Sequence, residues 1–277
     1  MYIYKPITII STIMMMNINP SFQRLSLLIG NDATAALSRT RVMVFGLGGV
    51  GSWCAEALVR SGTGNITLID YDTIDITNIN RQIEATINNI GQPKTDALSI
   101  RLKEINPECN VTSINKFFGR QKNNEECSQD TLEKNLMKFN IPNTDYIIDA
   151  IDSIDSKLDL IECAVNSGVT LYSSMGMARK LDPTRLRTCD IWKTSGCPLA
   201  RTVREGLRKR GFNGNFTTVY SDEKIPVFKS DDDNKPGIKI INGSAVTVTA
   251  TAGMILASLV IRDICRKFGA ENSVPKT

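Results

Sequence analysis

The stretch Arg41-Val42-Met43-Val44-Phe45-Gly46-Leu47-Gly48-Gly49-Val50-Gly51, followed by Ile66-Thr67-Leu68-Ile69-Asp70, decides the architecture. Residues 41–45 form a short apolar run that breaks into a Gly46-x-Gly48-x-x-Gly51 turn. Helical spacing follows, with Trp53, Ala57, Leu58 and Ser61 near one face, and Gly62–Asn65 ends that helix. Residues 66–70 read as a second buried strand closing on a carboxylate. Strand, glycine turn, helix and strand make a βαβ unit, which requires parallel pairing through a right-handed crossover.

Working outward, the same rhythm repeats. Pro93 opens a helix over 95–105, residues 111–114 read as a strand, and 130–139 as a helix. Residues 146–150 form a strand, 156–166 a helix and 169–173 a further strand. This alternation predicts an α/β fold: a doubly wound, mainly parallel, Rossmann-like sheet with helices on both faces. After Ser174 the rhythm stops. Residues 176–212 carry ten cations and three anions, a local +7 in a chain whose net charge is +4, so the rest sums to −3. Arg201, Arg204 and Arg208 recur at helical spacing, followed by Lys209 and Arg210. This face reads either as a solvated helix surface or as a contact for a polyanion such as RNA. Residues 221–237, with Asp231-Asp232-Asp233 and Pro236, read as a surface loop. Residues 240–261 contain no charge; the expectation is a buried strand followed by a helix, in preference to a membrane span.

The organisation expected is a loose leader over 1–20, one domain over 21–266 with a basic insertion over 176–242, and a tail over 267–277. The leader holds one charge, Lys5, and lacks the basic start and cleavage site of a secretory signal. The 277 residues include seven scattered cysteines and no histidine. The cysteines form no C-x-x-C pair, which removes zinc-ribbon and thioredoxin-like sites and suggests a reducing, cytoplasmic setting. Without histidine, Ser-His-Asp, Cys-His and His-ligated metal chemistry are excluded.

The glycine turn opens a helix, as a phosphate-binding fingerprint must, and Asp70 stands where a carboxylate meets ribose hydroxyls. That much leaves NAD and ATP both open. Asn78 and Arg81 then follow the second strand, Lys94 lies 13 residues beyond Arg81, and Asp152 follows the fourth strand. In a doubly wound sheet these positions converge on the crevice above the strand ends. Two cations and an amide suit a triphosphate, and a carboxylate suits its Mg2+. Hydride transfer has no use for such a clamp.

GLGGVGSW (46–53), LIDYDTIDITNINRQ (68–82), GQPKTDAL (91–98), INPE (105–108) and IDAIDS (148–153) resemble the ubiquitin-activating-type adenylating enzymes. FQRLSLLIG (22–30), NRQIEA (80–85), SSMGMARKLDPT (173–184) and DIWKTSGCPLARTVREGLRKRG (190–211) resemble one branch, the tRNA threonylcarbamoyladenosine dehydratases. The resemblance spans about 22–262. It implies ATP-dependent activation of the modified nucleoside's carboxylate, next to the anticodon, and closure to a cyclic hydantoin with loss of water. It assigns Gly46, Gly48, Gly49 and Gly51 to the nucleotide turn and Asp70 to the ribose. Asn78, Arg81 and Lys94 fall to the phosphates and Asp152 to Mg2+ and the reacting phosphate. Arg24 reaches the ATP of a partner in a homodimer, and the basic face meets tRNA. A sulfur-relay protein is a further partner that the resemblance raises.

Two departures stand out. The paired zinc cysteines of sulfur-handling relatives are absent, and Ser21 stands where many relatives carry an arginine. Cys197 is the one thiol inside a matching motif; an intramolecular cyclisation needs no enzyme nucleophile, so it reads as a packed cysteine. The runner-up function is an adenylating activator of a ubiquitin-like or sulfur-carrier protein. A nucleotide-binding scaffold at a membrane and an NAD dehydrogenase follow it.

Overall fold

The computed structural model describes residues 19–119, 137–224 and 243–269. The leader to residue 18, most of the 130–139 helix, residues 225–242 of the acidic loop and the tail from 270 lie outside the described residues. Seven strands form one sheet: β1 (Arg41–Phe45), β2 (Asn65–Asp70), β3 (Asn110–Asn115), β4 (Tyr146–Asp149), β5 (Thr170–Ser174), β6 (Leu186–Asp190) and β7 (Thr217–Ser221). Their order is β3-β2-β1-β4-β5-β7-β6, parallel throughout except for the antiparallel β6–β7 pair at one edge. The change of rhythm after Ser174 is that edge. There the chain leaves the βαβ pattern and returns through a helix.

The helices are α1 (Gln23–Ile29), α2 (Asn31–Arg39), α3 (Gly51–Arg60), α4 (Lys94–Ile105), α5 (Ile154–Asn166), α6 (Pro198–Lys209) and α7 (Val246–Phe268). The central parallel strands β1, β2 and β4 are apolar on both faces because both are covered, whereas β3 at the edge is polar and largely exposed. Val42, Val44, Ile66, Leu68 and Ile148 point into a core shared with α2, α3 and α7. Met43, Phe45, Ile69, Ile147 and Leu171 point into a second core with α5 and α6.

Two sequence expectations shift. The core face of α3 is Cys54, Ala55, Leu58 and Val59, while Trp53 and Ala57 are half-buried. The reason is α7, which covers the other flank of α3: a Cβ at Gly253 would lie 2.5 Å from Val50 O and 2.9 Å from Cys54 N. Spacing cannot show that a helix is covered twice. The uncharged segment at 240–261 is helical from Val246, with no strand among its described residues, and its helix runs past the expected domain boundary to Phe268. That helix is long and apolar enough to cross a membrane, with a mean hydropathy of 1.6, but half of its apolar window is buried against the domain. Val248, Ala252, Leu256 and Val260 are its core contacts.

Candidate nucleotide site

The sheet order reverses between β1 and β4, and the crevice opens above their carboxyl ends. Gly46 has φ +83°, and a Cβ there would lie 2.7 Å from Ala150 O, so the turns after β1 and β4 pack backbone against backbone. A Cβ on Gly51 would lie 1.8 Å from Gly46 O. These two positions require glycine for opposite reasons, the first for its backbone angle and contact, the second for contact alone. No side chain caps α3; Ser52 N donates to Gly48 O at 3.2 Å, and the positive end of the helix is left to favour an anion.

Asp70 sits at the end of β2, buried beside this turn. Its Oδ2 accepts from Leu47 N at 2.6 Å and its Oδ1 from Asp72 N at 2.9 Å. Asp70 therefore fastens the glycine turn while keeping lone pairs for ribose hydroxyls. Asn78 closes a short 3-10 turn, Ile76–Asn78: its Oδ1 accepts from Asp75 N at 3.1 Å, which leaves the amide nitrogen to donate outward. Arg81 lies over Gly49, its Cγ 3.2 Å from where a Cβ would sit, and its Nη1 donates to Thr77 O and Asn80 Oδ1. Its backbone carbonyl accepts from Trp53 Nε1 at 2.9 Å, so α3 pins the arginine in place. Thr249 of α7 is the other neighbour of Gly49, and Asn80 donates to Ser244 O just before that helix.

Lys94 opens α4 and is almost wholly buried. Its Nζ reaches Asp72 Oδ2 at 2.9 Å. Asp152 is exposed on the loop between β4 and α5. The Tyr71 phenol, exposed and edge-on to Phe117 at 5.2 Å, ties these groups together. Burial first, and then the negative charges of Asp72, Asp152 and Asp70, raise its pKa, with Lys94 acting in the opposite sense. Three carboxylates, one ammonium and a phenol thus share one mouth. Among the described residues no group of three or more His, Cys, Asp or Glu forms a metal cage. An exposed carboxylate beside a phosphate site matches Mg2+, which takes one or two carboxylates together with substrate phosphates.

Beneath Asp152 lies a buried network that sequence patterning does not reveal. Asp149 Oδ2 accepts from Lys157 Nζ at 2.7 Å and from Ser173 Oγ at 2.6 Å, with both members of the ion pair fully buried. Lys157 Nζ also donates to Ser174 O at 3.0 Å, and Asp149 Oδ1 accepts from Ile151 N at 3.1 Å. The network ties β4, β5 and α5 to the first residues of the loop that carries Asp152. Asp72 was also missed as the partner of Lys94, although it stands two residues beyond Asp70, on the loop that leaves β2.

The remaining candidates lie elsewhere. Arg24 is exposed on α1. Phe22, just before it, packs over Gly62 beyond the far end of α3. Ten residues of helix, about 15 Å, separate that end from the glycine turn, so Arg24 does not enter its own chain's crevice. On α6, Arg201 pairs with Glu205 at 2.9 Å, Arg208 lies over the Trp192 ring at 5.3 Å and Arg204 donates to the Thr194 hydroxyl. Arg210 does not share their exposed face: it bonds Asp159 and Glu162 of α5, each at 2.8 Å. Cys197 is buried at the start of α6, as a packed thiol.

The ThiF family model matches residues 22–276. The tRNA threonylcarbamoyladenosine dehydratase of Bacillus subtilis is 38% identical over 253 residues, covering 88% of this chain and 94% of that protein. The Escherichia coli protein of the same name is 33% identical over 258 residues, covering 87% and 91%. The crystal structure of that E. coli enzyme in complex with AMP superposes with a TM-score of 0.77, over 89% of this chain and 94% of the other. Its complex with ATP gives 0.75. The chain belongs to the ThiF family and, within it, to the tRNA threonylcarbamoyladenosine dehydratases.

Proposed function

We propose that this chain uses ATP to dehydrate threonylcarbamoyladenosine in tRNA, next to the anticodon, to its cyclic hydantoin form. The observation that carries the reading is the crevice at the β1/β4 switch point. Asp70 fastens its glycine turn, Arg81 lies over that turn, Lys94 pairs with Asp72 on the loop after β2 and Asp152 is exposed on the loop after β4, in a chain without histidine. Such a site does little acid–base work. It positions a triphosphate and stabilises charge, which suffices for a carboxylate oxygen to attack the α-phosphate and release pyrophosphate. A side-chain nitrogen of the same nucleoside then displaces AMP and closes the ring, with net loss of one water.

In this reading Asp70 holds the ribose, and Asn78 and Arg81 hold the outer phosphates. Lys94 exchanges Asp72 for phosphate oxygens, and Asp152 holds Mg2+, which neutralises phosphate charge. Arg24 acts on the ATP of a second copy. In support, it is remote from its own crevice, and Leu27 and Leu28 beside it on α1 are 84% and 74% exposed, an apolar patch that a homodimer covers. The solvent face of α6, through Arg201, Arg204, Arg208 and Lys209, meets the tRNA backbone. A cytoplasmic location suits a tRNA substrate and the six described cysteines, which are all free thiols. A sulfur-relay partner rests on the resemblance alone.

The test is direct. The protein is incubated with ATP, Mg2+ and tRNA bearing threonylcarbamoyladenosine, and the nucleoside mass falls by one water. Lys94→Ala and Asp152→Ala remove that turnover while leaving the fold. Retained cyclisation in both variants would refute the site assignment, and no mass loss in the parent would refute the function.

A further inference from the structure

Glu84 follows the Asn80-Arg81-Gln82 stretch and is 2% exposed. Neither of its carboxylate oxygens has a hydrogen-bond partner, and the neighbouring Gln82 Oε1 is buried without one as well. The environment is not apolar. The residue's own N–H and the Ser52 hydroxyl lie toward the carboxyl, although that hydroxyl also donates to Gly48 O in the glycine turn. Ala85, next in the chain, shares a small buried cluster with Ile74 and with Ala97 of α4. From α4 it is faced by Lys94 and, further along, by Arg101. Lys94 is bound to Asp72, and Arg101 is bound to Glu56 of α3 at 2.5 Å. From β2 the Asp70 carboxylate faces it. Glu84 is therefore a buried acid within the field of two cations that are both committed to other carboxylates.

We propose that Glu84 is a positioning residue for Lys94: protonated, it leaves the ammonium free to serve the phosphates, and ionised, it draws the ammonium inward and weakens ATP binding. This rests on the reading that Lys94 holds phosphate. The physical logic is a competition for one cation. A buried carboxylate without a well-formed hydrogen bond must either hold a proton or acquire a counter-charge, and Lys94 is the cation whose charge acts on it. Burial pushes the Glu84 carboxyl up to about 7, so the exchange falls in the neutral range, with its own N–H and then Lys94 limiting the rise. The arrival of a polyanion disfavours a second negative charge nearby. ATP binding above pH 7 therefore takes up a proton at Glu84, and ATP affinity falls as pH rises through that range.

The experiment measures ATP affinity from pH 6.5 to pH 9 in the parent, Glu84→Gln and Lys94→Ala, and the KM for ATP in the parent and Glu84→Gln. In the parent, affinity falls by up to about tenfold per pH unit above pH 7, the limit for one linked proton. In Glu84→Gln this dependence disappears, and KM for ATP moves while kcat does not. The nucleotide's own titration is common to both proteins and drops out of the ratio. Superimposable pH profiles in parent and Glu84→Gln would overturn the proposal. Undiminished ATP affinity in Lys94→Ala would instead overturn the phosphate role of Lys94. Calorimetry of ATP binding to the parent alone, in buffers of different ionisation heat, provides a check independent of any variant. Relative to the nucleotide's own contribution, a proton is taken up near pH 7.5, and none taken up refutes the proposal.

Discussion

Replacing Lys157 by Met is the sharpest perturbation of the frame that holds Asp152. The substitution keeps an unbranched apolar stem and removes the ammonium. Asp149 then keeps Ser173 Oγ and Ile151 N as donors but loses its only counter-charge, and Ser174 O loses a donor. Both members of the pair are fully buried, so water cannot substitute. Removing one partner of a buried ion pair costs about 3–5 kcal/mol, against a typical domain stability of about 5–15 kcal/mol. Lys157→Met should therefore lose about a fifth or more of the folding free energy, read by equilibrium urea unfolding at unchanged m-value. Asp149→Asn should also lose several kcal/mol, because it strands the ammonium. The double variant should recover much of the loss, since the uncompensated charge is gone, giving a coupling of at least about 2 kcal/mol. Added salt should rescue neither single variant, because ions do not reach the pair. A loss below about 1 kcal/mol for Lys157→Met, or strict additivity in the double variant, would refute the reasoning. At a temperature where the variants remain folded, turnover should fall further than ATP affinity, because Asp149 orients the loop of Asp152.

Gly51→Ala should abolish nucleotide binding and destabilise the fold, because its Cβ has no space beside Gly46 O; ATP binding followed by fluorescence or calorimetry checks it. The stability difference between Glu84→Gln and the parent should grow with pH. The folded parent holds a proton between about 4.5 and about 7 that the unfolded chain has lost, so this contribution to parent stability declines as pH rises through that window. At about 1.4 kcal/mol per pH unit the change is on the order of 3 kcal/mol, and urea midpoints that track each other across the range would contradict it. Charge reversal at Arg204, Arg208 and Lys209 should weaken tRNA binding and flatten its salt dependence, whereas Arg210→Glu should act mainly on stability through Asp159 and Glu162; filter binding at several salt concentrations separates the two. Gly253→Val should split α7 from α3, since the added atoms meet Val50 O and Cys54 N, and lower the thermal midpoint.

Much of this protein is written in one dimension. The βαβ unit, the alternation to Ser174 and the glycine turn were legible because parallel strands buried on both faces leave continuous apolar runs, and because glycine marks backbone contacts that no other residue tolerates. Asn78, Arg81, Lys94 and Asp152 can be proposed as a set from sequence because the ends of parallel strands must open on the same edge of the sheet. What the order of residues did not contain is which charge meets which. Lys157 sits eight residues from Asp149 and looks like any helix-surface lysine, yet the closure of β4, β5 and α5 buries it completely. Arg210 belongs by position to a basic run and by contact to α5. The second covering of α3 by α7, the capture of Lys94 by Asp72 and the burial of the Glu84 carboxyl depend on segments brought together from across the chain. Local periodicity determines elements and their order. The burial of a charge, and therefore its partner and its chemistry, is decided only when the layers close.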